Sequence, residues 1–280
     1  MYEMLKLQDV KVVRNRNIIV QDINWTVNSG ENWVLLGPNG VGKSTLINII
    51  AARRFPTKGK VTILGSELGK IDVFKLRQKI GILSNDLDNA FPNSLSAHEI
   101  VFSAAKGMMG SWGDERDKNI FEQKDYDKAE ELLIMFGAKK IINRPWGVLS
   151  QGERKRVQMA RTLMTDPDLL LFDEPTAGLD LAGREYVINT LTRLSSYDRD
   201  EDRKRAVILV NHNVEEIPPS FDKIALMGYL NEQTGTILYQ GDIRQNLTSE
   251  KLTHAYGISL DVTRQPNLRY FASTSVIVSN

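Results

Sequence analysis

Eight residues carry the first chemical signal: Gly37-Pro38-Asn39-Gly40-Val41-Gly42-Lys43-Ser44 fits the pattern G-x-x-x-x-G-K-[ST]. They follow the apolar run Trp33-Val34-Leu35-Leu36 and lead into the helix-like stretch Thr45-Leu46-Ile47-Asn48-Ile49-Ile50. In that strand–loop–helix setting, glycines let successive backbone N–H groups converge on phosphate oxygens, and the helix N-terminus adds partial positive charge. Lys43 is spaced to reach terminal phosphates, and the Ser44 hydroxyl to take one position on Mg²⁺. The bland alternative is a glycine-rich turn that caps a helix; the flanking strand and helix favour a phosphate site. These residues predict a nucleotide-binding protein.

A second acidic signal lies far downstream. Asp168-Leu169-Leu170-Leu171-Phe172-Asp173-Glu174 is an apolar strand ending in two carboxylates. In phosphate-loop folds the strand beside the loop ends in an Asp that holds magnesium, and Asp173 fits that role. Glu174 follows where a general base for an attacking water would sit. Taken alone, such a strand would be a buried element that ends in solvated acids; the phosphate loop reverses that reading.

Just upstream, Leu149-Ser150-Gln151-Gly152-Glu153-Arg154 opens another helical stretch. Ser150 and Glu153 have the spacing of a capping box, and a capped helix N-terminus that presents Ser and Gly is also an anion site. The run resembles the signature motif of ATP-binding cassette (ABC) proteins, usually Leu-Ser-Gly-Gly-Gln, with Gln151 and Glu153 as variants. Further stretches resemble the same family in the same order. Pro175-Thr176-Ala177-Gly178-Leu179-Asp180 is similar to its D-loop, and Val207-Ile208-Leu209-Val210-Asn211-His212 is similar to the strand that ends in its switch histidine. The resemblance spans roughly residues 1–260.

The resemblance implies a set of roles. ATP would be held by Gly37, Pro38, Asn39, Gly40, Val41, Gly42, Lys43, Ser44 and Thr45 of one subunit and by Ser150 and Gly152 of another, with Asp180 at the seam. Glu174, His212 and Lys43 would carry the chemistry, and Ser44, Asp173 and Asn85 would attend Mg²⁺. Two positions depart from the family pattern. Arg14 stands where many cassettes place an aromatic ring against adenine; a guanidinium can also stack on a π face. Asn85 stands where a glutamine is expected, and its amide is one methylene shorter.

Composition agrees with a folded α/β domain of this size and argues against several other classes. Hydrophobic residues make up 41% of 280, sufficient for a sizeable core. No run approaches 18 apolar residues, so no membrane span is expected. The first residues, Met1-Tyr2-Glu3-Met4-Leu5-Lys6, lack the basic flank and apolar core of a secretory leader. There is no cysteine, hence no disulfide or thiolate metal site. A net charge of +1 gives no field for nucleic acid.

Elements that must position these residues are legible in outline. Residues 3–36 read as strands, as do Lys60–Gly65 and Lys79–Leu83, while Ala97–Ala105 and Tyr126–Phe136 read as helices. Gly107–Lys118 and the alternating charges of Asp198–Arg205 read as loops. The expected fold is α/β: a RecA-like mixed sheet with a P-loop NTPase core, an antiparallel β subdomain and an α-helical subdomain inserted at about 86–160. A cassette over 1–260 and a tail over 261–280 complete the expected layout. The resemblance further implies an ATPase that works as a nucleotide-sandwich dimer on the cytoplasmic face of a membrane, coupled to separate transmembrane permease subunits. The alternative is a soluble ABC ATPase acting on ribosomes, DNA or another protein. No long heptad segment of the kind found in chromosome-type ATPases is present.

Overall fold

A computed structural model describes residues 2–84, 90–108, 120–196, 204–231 and 233–274. The chain begins with β1 (Glu3–Arg14), β2 (Asn17–Asn28) and β3 (Asn32–Leu36), then α1 (Lys43–Ile50), β4 (Lys58–Ile63), β5 (Ser66–Glu67), α2 (Val73–Arg77) and β6 (Ile80–Ser84). Helices α3 (Ala97–Ser103), α4 (Gln123–Met135) and α5 (Gln151–Thr162) follow, all before β7 (Leu169–Asp173). The last part holds α6 (Leu181–Ser196), β8 (Ala206–Asn211), β9 (Lys223–Tyr229), β10 (Gly235–Asp242), α7 (Ile243–Asn246), α8 (Ser249–Tyr256), β11 (Leu260–Arg264) and β12 (Tyr270–Thr274).

Among the described residues, ten strands form one sheet in the order β5-β4-β1-β2-β10-β9-β3-β8-β7-β6. Strands β9, β3, β8, β7 and β6 are parallel neighbours. Strands β2, β1, β4 and β5 are antiparallel, and β10 joins the two halves. The turn between β1 and β2 is two residues long, Asn15 and Arg16, both with positive φ (50° and 66°), as a strand-matched hairpin turn requires.

Period-two patterning decides what covers the parallel strands. Leu169 and Leu171 face one apolar cluster while Leu170 and Phe172 face the other, and β3 and β8 alternate in the same way. Helix α1 closes one face with Leu46, Ile47, Ile49 and Ile50. Helices α3 to α6 and α8 contribute to the opposite face. A parallel sheet buried on both sides explains why these strands read as unbroken apolar runs. Trp25 of β2 meets Trp33 of β3 edge-on at 5.5 Å, which joins the antiparallel part to the core.

The helical segment between β6 and β7 is pinned by a buried arginine. Arg161 donates to the Ile100 carbonyl, to Ser103 Oγ at 2.7 Å and to the Met108 carbonyl at 2.5 Å, with its guanidinium 5.1 Å from the Phe91 ring. Burial and the neighbouring Arg53 lower its pKa to about 10, so it stays charged at neutral pH.

The fold corrects one expectation and extends another. The acidic strand β7 does not lie beside the phosphate-loop strand β3, because β8 stands between them. All three are short apolar runs, so their order is set by tertiary pairing and carries no local mark. The expected boundary at residue 260 falls at the start of the β11–β12 hairpin, and Tyr270 on its far strand is buried in the larger apolar cluster. Asn85, most of Gly107–Lys118 and most of Asp198–Arg205 lie outside the described residues.

Candidate functional site

The site forms where parallel strands end, the usual place for ligands in such sheets. Strand β3 delivers Gly37, β7 delivers Asp173 and Glu174, and β8 delivers Asn211 and His212. Gly42 caps α1 with φ of 107°, and a Cβ there would run into Val20, so only glycine fits this turn. Lys43 is buried, with 5% of its surface exposed. Its ammonium donates to the carbonyls of Gly37 at 2.7 Å and Pro38 at 3.0 Å. Burial lowers its pKa, opposed by the carboxylates of Glu174 and Asp173, which places these groups in one electrostatic neighbourhood. The remaining loop residues are more open: Ser44 and Gly40 are exposed, Thr45 is half-buried, and the Asn39 carbonyl accepts from the Tyr229 hydroxyl at 3.1 Å. Pro38 and Val41 complete the loop.

Glu174 turns back on itself. Its φ is 47°, uncommon for a residue with a side chain, and its N–H donates to the Val210 carbonyl at 3.1 Å. This aims its carboxylate at β8, where Oε1 lies 3.2 Å from His212 Nδ1. The contact is about one-third exposed on each side, so a substrate can reach both groups.

Another carboxylate, this one buried and not foreseen from the sequence, stabilises this corner. Glu216 is 7% exposed; its Oε2 accepts from Thr176 Oγ1 at 2.6 Å and from Asn211 Nδ2 at 3.0 Å. It thereby ties the turn after Glu174 to the strand that carries His212. Its only sequence signal is its place four residues after the histidine. Ser84, level with Asp173 across the β6–β7 ladder, is 3% exposed, and its hydroxyl has no hydrogen-bond partner among the described residues.

Four expected site residues lie elsewhere. Ser150 is exposed and caps α5: its hydroxyl accepts from the Glu153 N–H, and its own N–H donates to Glu153 Oε2 at 2.8 Å. Those bonds, with Arg144 at 2.6 Å, hold the Glu153 carboxyl below its usual pKa. Beyond its own helix and chain neighbours, no described residue lies within 4 Å of where a Cβ on Gly152 would be, so the helix start is open to an incoming group. Asp180 is also exposed and caps α6, its Oδ1 accepting from the Gly183 N–H at 2.8 Å. Arg14 is exposed at the end of β1, and the groove beside that hairpin is lined by Arg16, Asn17, Ile18, Asn231, Gln233 and Thr234.

The arrangement can hold polyphosphate against Lys43 and place an acid–base pair beside it. Ser44 and Asp173 supply hard oxygen donors suited to Mg²⁺. The buried Ser84 hydroxyl level with Asp173, without a partner among the described residues, adds one more oxygen to this corner.

Comparison with known proteins agrees with this geometry. A family model described as ABC transporter matches residues 20–177. The ABC transporter ATP-binding protein YlmA of Bacillus subtilis (strain 168), itself uncharacterized, is 36% identical over 260 residues, covering 92% of this chain and 93% of its own. Among solved structures, the dimeric ATP-binding cassette MJ0796, in a post-hydrolysis state with ADP and Pi, superposes with a TM-score of 0.69 at 27% identity, covering 86% of this chain and 99% of that one. The fold also matches cbiO1 from Clostridium perfringens, part of the transporter complex cbiONQ, with a TM-score of 0.69 at 23% identity over 91% of this chain and 94% of that one. No helix among the described residues is long and apolar enough to cross a membrane.

Proposed function

The chain belongs to the family of ABC transporter ATP-binding proteins and is an ATPase, and we propose that it is the energy-coupling subunit of a membrane transporter. It acts as a head-to-tail dimer, with each ATP held between the phosphate loop of one subunit and the α5 N-terminus of the other. The observation that carries this reading is the division of phosphate-handling groups. Lys43, Asp173, Glu174 and His212 converge at the strand ends, while the exposed Ser150 and the half-buried Gly152, with open space beside it, stand on the inserted helices. One subunit therefore offers half a phosphate cage, and a second copy supplies the rest.

In the closed dimer the terminal phosphate meets Lys43 on one side and the second subunit's Ser150 hydroxyl and α5 amides on the other. In the single subunit the Ser150 oxygen accepts from the Glu153 N–H and its proton is turned to the Glu153 carboxylate, so the hydroxyl rotates to the phosphate on closure. Glu174 draws a proton from the attacking water, and His212 orients that carboxylate and contacts the terminal phosphate. Loose phosphoryl transition states need positioning and charge stabilisation more than covalent chemistry. Ser44 and Asp173 would hold Mg²⁺, which neutralises charge on the phosphates. Building half the donors across an interface makes hydrolysis depend on closure.

The permease docks in the groove between core and insert. That groove, about 440 Å³, is lined by Phe74, Arg77, Ile82, Lys106, Gly107 and Arg161, among others. Phe74 is 73% exposed at its edge, an aromatic anchor suited to an apolar helix of a membrane partner. β6, which ends at Ser84 beside the nucleotide site, forms one wall, so a docked helix can sense closure. In this reading the protein works on the cytoplasmic face of a membrane.

Purification of the tagged protein from detergent-solubilised membranes and from cytosol tests the reading. A polytopic membrane protein should copurify, and Phe74→Ala should weaken its retention. Ribosomal proteins or nucleic acid in its place would overturn the transporter role while leaving the ATPase intact.

A further inference from the structure

The loop that carries His212 is held from outside the strand-end site. After β8 the chain makes one short turn, Val214–Glu216, so the histidine's aim depends on how that turn is anchored. On the core side, Asn211 Oδ1 accepts from the N–H groups of His212 at 2.7 Å and Asn213 at 3.1 Å. Further anchors come from the C-terminal helix and hairpin.

Tyr256 ends α8, and its hydroxyl donates to the His212 carbonyl at 3.2 Å. The Gly37 N–H faces the same oxygen, so the phenol lies between the start of the phosphate loop and the switch loop. Burial and the Glu215 carboxylate raise the phenol's pKa, so the donor is retained throughout the physiological range. The approach needs a glycine on the facing strand: a Cβ on Gly228 of β9 would lie 3.2 Å from Ala255 Cα and overlap Leu238.

Arg269 secures the other end. Its Nε donates to the Glu215 carbonyl at 3.1 Å, and Nη2 donates to the same oxygen. Nη1 pairs with both carboxylate oxygens of Glu185 on α6, at 2.7 and 2.8 Å. The Ala272 N–H donates to Glu215 Oε1 at 3.2 Å, so the hairpin clasps both backbone and side chain of one switch-loop residue. The turn that presents Arg269 places Leu268 at φ of 67°, strained for a branched apolar side chain and sustained by the Leu268 and Arg269 turn bonds. A planar fork is required here, since one group must serve a carbonyl and a carboxylate together.

We propose that Tyr256 and Arg269 are positioning residues for hydrolysis, through which the C-terminal helix and hairpin set the register of His212 against Glu174 and the phosphate loop. This rests on the reading of His212 given above. It makes residues 249–274 part of the ATPase machinery and a place where turnover can be tuned without touching nucleotide.

Steady-state hydrolysis by the full chain, with separate measurement of ATP affinity, tests it. Arg269→Ala and Tyr256→Phe should each lower kcat on the order of tenfold, the scale expected when an acting group is displaced by a fraction of an ångström. Arg269→Ala should leave the ATP Kd within about twofold, because no nucleotide contact is lost. Arg269→Lys, which keeps the charge facing Glu185 but lacks the fork, should recover only part of the rate. In a His212→Ala background, adding Arg269→Ala should cost little more, since the group being positioned is gone. Tyr256→Phe removes a single hydroxyl and gives a folded variant should Arg269→Ala prove unstable in thermal melts. An undiminished Arg269 effect in the His212→Ala protein, or wild-type kcat in both single variants, overturns the proposal. If His212→Ala itself turns over normally, the role of His212 falls and this inference with it. If His212→Ala is slow while Arg269→Ala and Tyr256→Phe are not, only this inference falls.

Discussion

Glu174 Oε1 and His212 Nδ1 lie 3.2 Å apart although 38 residues separate them. They meet because β7 and β8 run parallel as neighbours and end at the same level, Asp173 opposite Val210. Glu174 then folds back through its positive-φ turn, and the histidine one residue beyond β8 receives it. A carboxylate held by an imidazole beside a buried ammonium is the arrangement a water-activating site needs.

Replacing Glu174 by Gln should preserve ATP binding and abolish most turnover, by about 10²- to 10⁴-fold, the range for loss of a general base. The ATP-bound dimer should then persist on gel filtration. Near-normal hydrolysis by this variant would remove Glu174 as the base.

Lys43→Ala should act on binding itself. The ammonium makes charge-assisted bonds to the loop's own carbonyls and stands ready for phosphate. Each such bond is worth about 1.5–3 kcal/mol, so ATP affinity should fall at least roughly tenfold in calorimetric titration. An unchanged Kd would place the phosphates elsewhere.

Arg14→Ala should raise the ATP Kd by a factor of a few, the scale of about 1 kcal/mol for an exposed cation–π contact, and Arg14→Tyr should restore it. Arg16→Ala, in the adjoining turn, serves as the comparison. Equal affinities for wild type and both Arg14 variants would show that no base stacks at Arg14.

Glu153 links pH to the stability of α5. The Ser150 N–H, the Ser150 hydroxyl and Arg144 hold its native pKa below the usual value, so its stabilisation is complete above the unfolded carboxyl's pKa, about 4.3. As pH falls through the lower native value, that contribution is lost. Glu153→Gln should therefore melt earlier than wild type at pH 7, by about 1 kcal/mol for a weakened cap, and the difference should shrink in acid. A difference that grows as pH drops would mean the carboxylate is not stabilising the helix start.

Much of the site is local in origin and hence legible in the residues themselves. A phosphate loop needs positive-φ glycines, an apolar strand before it and a helix after it, all contiguous in Gly37–Ile50. The capping box at Ser150 and Glu153 is a three-residue relation and forms as its spacing predicts. Unbroken apolar runs mark β3, β7 and β8 because both faces of a parallel sheet are buried. The family match over residues 20–177 takes in the phosphate loop, the capping box and the acidic strand.

Tertiary structure alone decided the rest, since it depends on pairings between segments with no contiguous signature. Strands β3, β7 and β8 look alike as sequence, yet placing β8 between the other two is what brings His212 to Glu174 and sets both across from Lys43. Glu216 reads as an ordinary acid until Thr176 and Asn211 enclose it. Residues 261–274 show no motif, because a hairpin that works by donating to carbonyls recognises backbone, and backbone is the same in every sequence. Tyr256 and Arg269 acquire meaning only from the carbonyls of His212 and Glu215 that the fold carries to them.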